Sequence, residues 1–127
     1  MTEERPVLLV EDNEMNRDML SRWLKRRGWT VILAPDAETA LARFDEMTPR
    51  AVLMDVDLPG MNGWQATREV RRRPGGGGVP VVALTAYALN EFEEEAEAVG
   101  CDAFLTKPLD LDAVTATLQR LTAGSAA

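Results

Sequence analysis

Four points along the chain carry groups suited to phosphate and hard metal ions: Glu11 with Asp12, Asp55, Thr85 and Lys107. Each ends or closely follows a short apolar run. In open α/β sheets ligands bind beyond the carboxyl ends of the strands, so residues distant in sequence would gather at one edge. Three carboxylates there cannot all be charged at no cost. Two like charges about 4 Å apart repel by roughly 4 kcal/mol at an effective dielectric near 20, so one must take a proton or a cation must enter. Magnesium suits the set, since it prefers oxygen ligands and binds through one or two carboxylates while keeping waters that a phosphate can replace. A phosphoryl group held in line with Asp55 would make that carboxylate a nucleophile and give an acyl phosphate. Lys107, a compact charge on a flexible stem, can pair with a phosphoryl oxygen without the fork geometry of arginine.

Other chemistries are excluded by composition. Histidine is absent and Cys101 is the only cysteine, which removes imidazole bases, cysteine-based metal sites and any intrachain disulfide. Cys101 reads as a small core or near-surface residue. The formal net charge of -7 disfavours direct contact with nucleic acid. No apolar run approaches the roughly 18 residues of a membrane span, and Met1 to Pro6 lacks the plan of a signal peptide. The expected compartment is the cytoplasm, with no membrane partner.

The elements that must position these groups alternate. Val7 to Val10, Val31 to Ala34, Ala51 to Met54, Val79 to Leu84 and Ala103 to Leu105 are apolar at nearly every residue, as strands covered on both faces are. Between and after them come segments of helical period: Met15, Met19, Leu20, Trp23 and Leu24; Ala37, Ala40, Leu41 and Phe44; Trp64, Thr67 and Val70; Phe92, Ala96 and Val99; Leu111, Val114, Leu118 and Leu121. Asn13, Asp36, Asn62, Asn90 and Asp110 are the expected N-caps, Asn90 with Glu93 having the spacing of a capping box, and Gly28 and Gly100 stand where helices end left-handed. Strict alternation predicts an α/β fold with a parallel sheet, right-handed crossovers and helices on both faces. With 127 residues, 46% of them hydrophobic and 28% charged, the expectation is one globular domain over residues 1–122 with no effector module, and a flexible tail over 123–127.

Some features read as structural. Arg71, Arg72 and Arg73 look like a solvated helix end, the alternative being a dock for an acidic partner, and Pro74 to Gly78 like a loose connector that lacks the spacing of a nucleotide-binding loop. Trp23, Trp29 and Trp64 read as packing residues.

Val10-Glu11-Asp12-Asn13, Leu53-Met54-Asp55-Val56-Asp57-Leu58-Pro59-Gly60-Met61-Asn62-Gly63, Ala83-Leu84-Thr85-Ala86 and Lys107-Pro108 follow one another in an order and at spacings that resemble two-component response-regulator receiver domains. The resemblance runs from Pro6 to about Leu121 and is closest in look to receivers of hybrid kinases and single-domain cell-cycle regulators. It implies a flavodoxin-like sheet of five parallel strands ordered 2-1-3-4-5 and a phosphoryl group taken from phosphohistidine on a histidine kinase or histidine phosphotransfer protein. By matching position it implies Asp55 as phosphoacceptor and magnesium ligand, Asp12 as a direct ligand, Glu11 acting through water, and the backbone carbonyl of Asp57 completing the coordination. Thr85 and Lys107 match the residues that contact the phosphoryl oxygens, and the Lys107-Pro108 peptide is expected cis.

Phe104 matches an aromatic switch position that would rotate as Thr85 is drawn toward the phosphoryl group; the alternative is a permanently buried ring. A downstream protein would then meet the face of the fourth predicted helix, the fifth strand and the fifth predicted helix. There Glu91, Glu93, Glu94, Glu95 and Glu97 form either a recognition surface or merely a solvated face. Asp57 and Tyr87, each two residues past a site residue, are expected to tune the lifetime of the acyl phosphate. Such a module is not an enzyme beyond its own phosphorylation and dephosphorylation. Two rivals stand beside it. Asp55-Val56-Asp57 resembles the paired aspartates of haloacid-dehalogenase phosphatases, though these belong on a first strand and here follow the third. A degenerate receiver used only for docking is the other, against which the full set of site residues argues.

Overall fold

The computed structural model describes residues 5–86 and 98–123. Five strands, β1 (Val7–Val10), β2 (Val31–Ala34), β3 (Ala51–Asp55), β4 (Val81–Thr85) and β5 (Ala103–Thr106), form one parallel sheet in the order β2-β1-β3-β4-β5. Among the described residues, four complete helices lie between and after them: α1 (Glu14–Arg26), α2 (Ala37–Glu46), α3 (Gly63–Arg72) and α4 (Leu111–Thr122). Of the helix expected over Phe92, Ala96 and Val99, with Asn90 as its cap, only the end is described, residues 98 and 99 being helical and Val99 buried; Asn90, Phe92 and Ala96 lie outside the described residues.

Side chains alternate across a strand, and β1 shows the result. Leu8 and Val10 join Val52 and Met54 against Ala40, Phe44, Ala66 and Val70 of α2 and α3. Val7 and Leu9 join Leu53 and Leu84 against Leu20, Leu24, Val114 and Leu118 of α1 and α4. Full burial of a leucine contributes about 1.5–3 kcal/mol, so Leu24 and Leu118, both completely buried, fasten their helices to that face.

Four of the expected caps lie within the described residues, and these form. Asn13 and Asp36 accept from the backbone N–H of Asn16 and Thr39, and Asp110 accepts from Asp112 and Ala113. Asn62 and Gln65 build a reciprocal capping box at the start of α3. Gly28 and Gly100 have positive φ, and the Lys107-Pro108 peptide is cis. Cys101 packs against the core, and burial pushes its thiol up to about 11, which keeps it inert.

Three expectations need correction. Met15 and Met19, which share the apolar stripe of α1, are 81% and 49% exposed. Their turns follow the loop that leaves β1, at the carboxyl edge of the sheet, and the buried stripe begins only at Leu20. Arg71 is no solvated helix end. Its guanidinium donates to the carbonyls of Gly76, Val79 and Gly100 and pairs with Asp102 at 2.9 Å. The glycine run is correspondingly tied down at Gly76, whose carbonyl accepts from Arg71, while Gly77 and Gly78 are exposed. Gly76 is buried, and a Cβ there would stand 1.7 Å from the carbonyl oxygen of Val70.

Candidate functional site

The carboxyl edge of the sheet brings the separated residues together. Glu11 still donates its backbone N–H to Ala34 at 3.1 Å, and its side chain then turns inward to 2% exposure. Asp55 closes β3 opposite Leu84 and is 1% exposed; Thr85 closes β4 and is equally buried. The N–H of Lys107 donates to the carbonyl of Thr85 at 2.7 Å, which fixes where the lysine leaves the sheet.

Lys107 Nζ then donates to Glu11 Oε1 at 3.2 Å and to Asp55 Oδ2 at 3.1 Å. The remaining oxygens of both carboxylates are held by backbone: Asn13 N–H donates to Glu11 Oε2 at 3.2 Å and Asp57 N–H to Asp55 Oδ1 at 2.9 Å. Asp12 is exposed and completes a trio in which one oxygen each from Glu11, Asp12 and Asp55 lies within 4.8 Å of the others. Like charges at that spacing repel by roughly 3 kcal/mol at an effective dielectric near 20.

The titration behaviour follows. Burial pushes Glu11 up to about 7, and its hydrogen bond with Asp55 and the charge of Asp55 push the same way, against the pull of Asn13 N–H and Lys107. Burial alone would lower Lys107, but the hydrogen bond and charge of Asp55, then those of Glu11, outweigh it and raise its pKa. Three carboxylates against one ammonium leave an excess of negative charge around hard oxygen donors, a set that fits magnesium.

Phe104 is half-buried in a cluster with Val56, Trp64, Ala83 and Val99, directly behind the strand ends that carry Asp55 and Thr85. Asp57 is exposed, with its N–H on Asp55. Tyr87 and the acidic run Glu91, Glu93, Glu94, Glu95 and Glu97 lie outside the described residues, so the expected effector face is represented by β5 and α4 alone.

Two contributors escape sequence reasoning. Gly63 opens α3 against the backbone of the acidic strand end: a Cβ there would stand 2.3 Å from Asp55 O and 2.7 Å from Val56 Cα. Its place three residues after Gly60 in a turn is the available signal. Arg17 reaches back from α1 to the carbonyls of Glu11 and Asp12, at 2.9 and 3.4 Å. Nothing in the spacing marks it apart from other surface arginines. Beside the pocket, a groove lined by Glu11, Asn16, Met19, Leu20, Lys107, Pro108 and Leu109 joins the acidic cluster to the exposed methionine face of α1.

Comparison with known proteins agrees with this geometry. Residues 7–119 match the response regulator receiver domain family. The polar-differentiation response regulator DivK of Brucella anthropi is 30% identical over 115 residues, covering 91% of this chain and 94% of that protein. The chemotaxis protein CheY4 of Vibrio cholerae superposes with a TM-score of 0.89 at 31% identity, over 94% of this chain and 99% of that one. The receiver domain of sensor histidine kinase PA1611 from Pseudomonas aeruginosa, solved with a magnesium ion coordinated in its active site cleft, has a TM-score of 0.87. It is 35% identical over 95% of this chain and 99% of its own.

Proposed function

This chain belongs to the response regulator receiver domain family, a signalling module of two-component systems, and on that premise we propose that Asp55 is its phosphoacceptor. The meeting of the Glu11, Asp12 and Asp55 oxygens within 4.8 Å, with Lys107 Nζ 3.1 Å from Asp55, carries this reading. The donor is a phosphohistidine on a histidine kinase or histidine phosphotransfer protein. An Asp55 oxygen attacks phosphorus, the P–N bond breaks, and the donor imidazole keeps the electron pair. Asp57 N–H and Lys107 orient the carboxylate, while the Lys107 ammonium and the Thr85 hydroxyl bond the phosphoryl oxygens.

Asp12 and Asp55 would hold magnesium directly, with the carbonyl of Asp57 and, through water, Glu11. When bound there, the ion would supply positive charge against the charge that develops on the phosphoryl oxygens. The magnesium-bound cleft of the 35% identical receiver supports that assignment.

The exposed Met19, which lines the groove leading to the pocket, and Met15 one turn before it are where we place donor docking. Rotation of Phe104 as Thr85 closes on the phosphoryl group then alters the surface of β5 and α4, with the predicted helix before them, for a downstream protein. Asp57 and Tyr87 slow the attack of water on the acyl phosphate, which the domain otherwise hydrolyses itself. Among the described residues no helix is long and apolar enough to cross a membrane, and we place the module in the cytoplasm.

The phosphatase reading is not favoured, because the aspartate pair follows the third strand of a receiver sheet. Intact-mass spectrometry after incubation with acetyl phosphate and magnesium tests the proposal. The wild type should gain one phosphoryl group and D55N none; equal labelling of both would overturn the assignment.

A further inference from the structure

Among the three carboxylates of the pocket, two are anchored by other groups. Glu11 is held by Lys107 and Asn13 N–H, and Asp55 by Lys107 and Asp57 N–H. Asp12 is exposed, and its carboxylate has no hydrogen-bond partner among the described residues. Its place is therefore set by the backbone that carries it.

That backbone has just left the sheet. The final ladder pairs of β1 are Val10 with Ala34 and Val10 with Met54, so the carbonyls of Glu11 and Asp12 lie past the last strand pairing on either side. Arg17, one turn into α1, supplies a donor to both: its Nη1 is 2.9 Å from Glu11 O and 3.4 Å from Asp12 O. A single nitrogen thus ties two consecutive peptide groups to a helix that Leu20 and Leu24 bury against the sheet.

We infer that Arg17 is a positioning residue for the magnesium site, holding the Glu11–Asp12 backbone so that the Asp12 carboxylate faces Asp55. The inference rests on the receiver reading given above. It opposes a simpler expectation. Arg17 is a cation near an acidic pocket, and if only its charge mattered, removing it would strengthen magnesium binding. If it positions Asp12, removing it must weaken binding, because outer partners that orient ligands are typically worth 10-fold or more in metal affinity. The two roles differ in sign.

Isothermal titration of the full chain with magnesium chloride separates them, using wild type, R17M, R17K and D12N, with circular dichroism melts to check that each is folded. The expected result is about tenfold weaker binding for R17M and partial recovery for R17K, which keeps a donor on a shorter stem. Labelling of R17M by acetyl phosphate should also be slow at low magnesium and return to the wild-type rate when magnesium saturates, which a general loss of stability would not produce. Unchanged or tighter binding by a folded R17M would overturn the positioning role while leaving the receiver reading intact. A wild type that binds no magnesium, or a D12N that binds like wild type, would overturn the metal-site reading and this inference with it.

Discussion

Lys107 Nζ lies 3.1 Å from Asp55 Oδ2, although 52 positions separate the two residues in the chain. The lysine occupies the flank of the nucleophile and repels any cation beside it, so its removal should act in two directions. K107M is expected to bind magnesium more tightly than wild type. It should also be labelled by acetyl phosphate about 10 to 100 times more slowly, since a hydrogen bond to a charged group contributes roughly 1.5–3 kcal/mol. Titration calorimetry and timed intact-mass spectra read the two effects, and a rate equal to wild type would remove Lys107 from the mechanism.

The tight seat of Gly63 makes a second expectation. An alanine Cβ would stand 2.3 Å from the Asp55 carbonyl, so α3 or the end of β3 must shift. G63A should lose about 1–3 kcal/mol of stability and most of its labelling. G77A, where a Cβ meets nothing within 4 Å, is the control and should match wild type in urea unfolding.

Arg71 ties the end of α3 to chain 29 and 31 residues further on, through Gly100 and Asp102. Its side chain is only 19% exposed, so truncation strands several carbonyls. R71M is expected to lose about 3 kcal/mol and roughly 10 °C in Tm. A melt within 2 °C or so of wild type would return Arg71 to the surface role its sequence context suggests.

Asp36 caps α2, and the backbone N–H of Thr39, followed by the Thr39 hydroxyl, holds its pKa below the ordinary 3.8. A group depressed by folding stabilises the native state above its unfolded pKa, and the contribution is lost as pH falls through the lower folded value. D36A should cost about 1 kcal/mol at neutral pH. D36N keeps a capping oxygen that cannot titrate, so the stability of wild type relative to D36N should decline below about pH 4. Urea melts at several pH values measure this, and a constant difference would contradict it.

Met15 and Met19 lie on the solvent side, so replacing both with serine should leave stability within roughly 0.5 kcal/mol. Phosphotransfer from a phosphohistidine protein should fall about tenfold while labelling by acetyl phosphate stays unchanged. Equal loss with both donors would place the effect in the pocket rather than at the docking face.

The sheet was legible because its residues obey simple rules. Runs such as Val7–Val10 are apolar on both faces, and Asn13, Asp36, Asn62 and Asp110 mark helix starts with oxygens that have one obvious use. The pocket was legible for the same reason, since strand ends are where parallel sheets present side chains and Asp55, Thr85 and Lys107 each lie at or just past one. What escaped depends on where neighbours stop. Periodicity puts Met15 and Met19 on the same stripe as Leu20 and Leu24 without revealing that the sheet beneath ends before them. Arg71 and Arg17 owe their roles to bare carbonyls that only the folded loops present, and a glycine such as Gly63 carries no sign of what would touch its missing carbon.

The cluster behind the strand ends contains one indole. Trp64 packs with Val56, Ala83 and Phe104, whereas Trp23 and Trp29 pack against the opposite face of the sheet. The domain thus carries its own optical reporter. In a W23F/W29F background, the ultraviolet emission of Trp64 alone would register rearrangement next to Asp55 as it happens, with no dye or label attached.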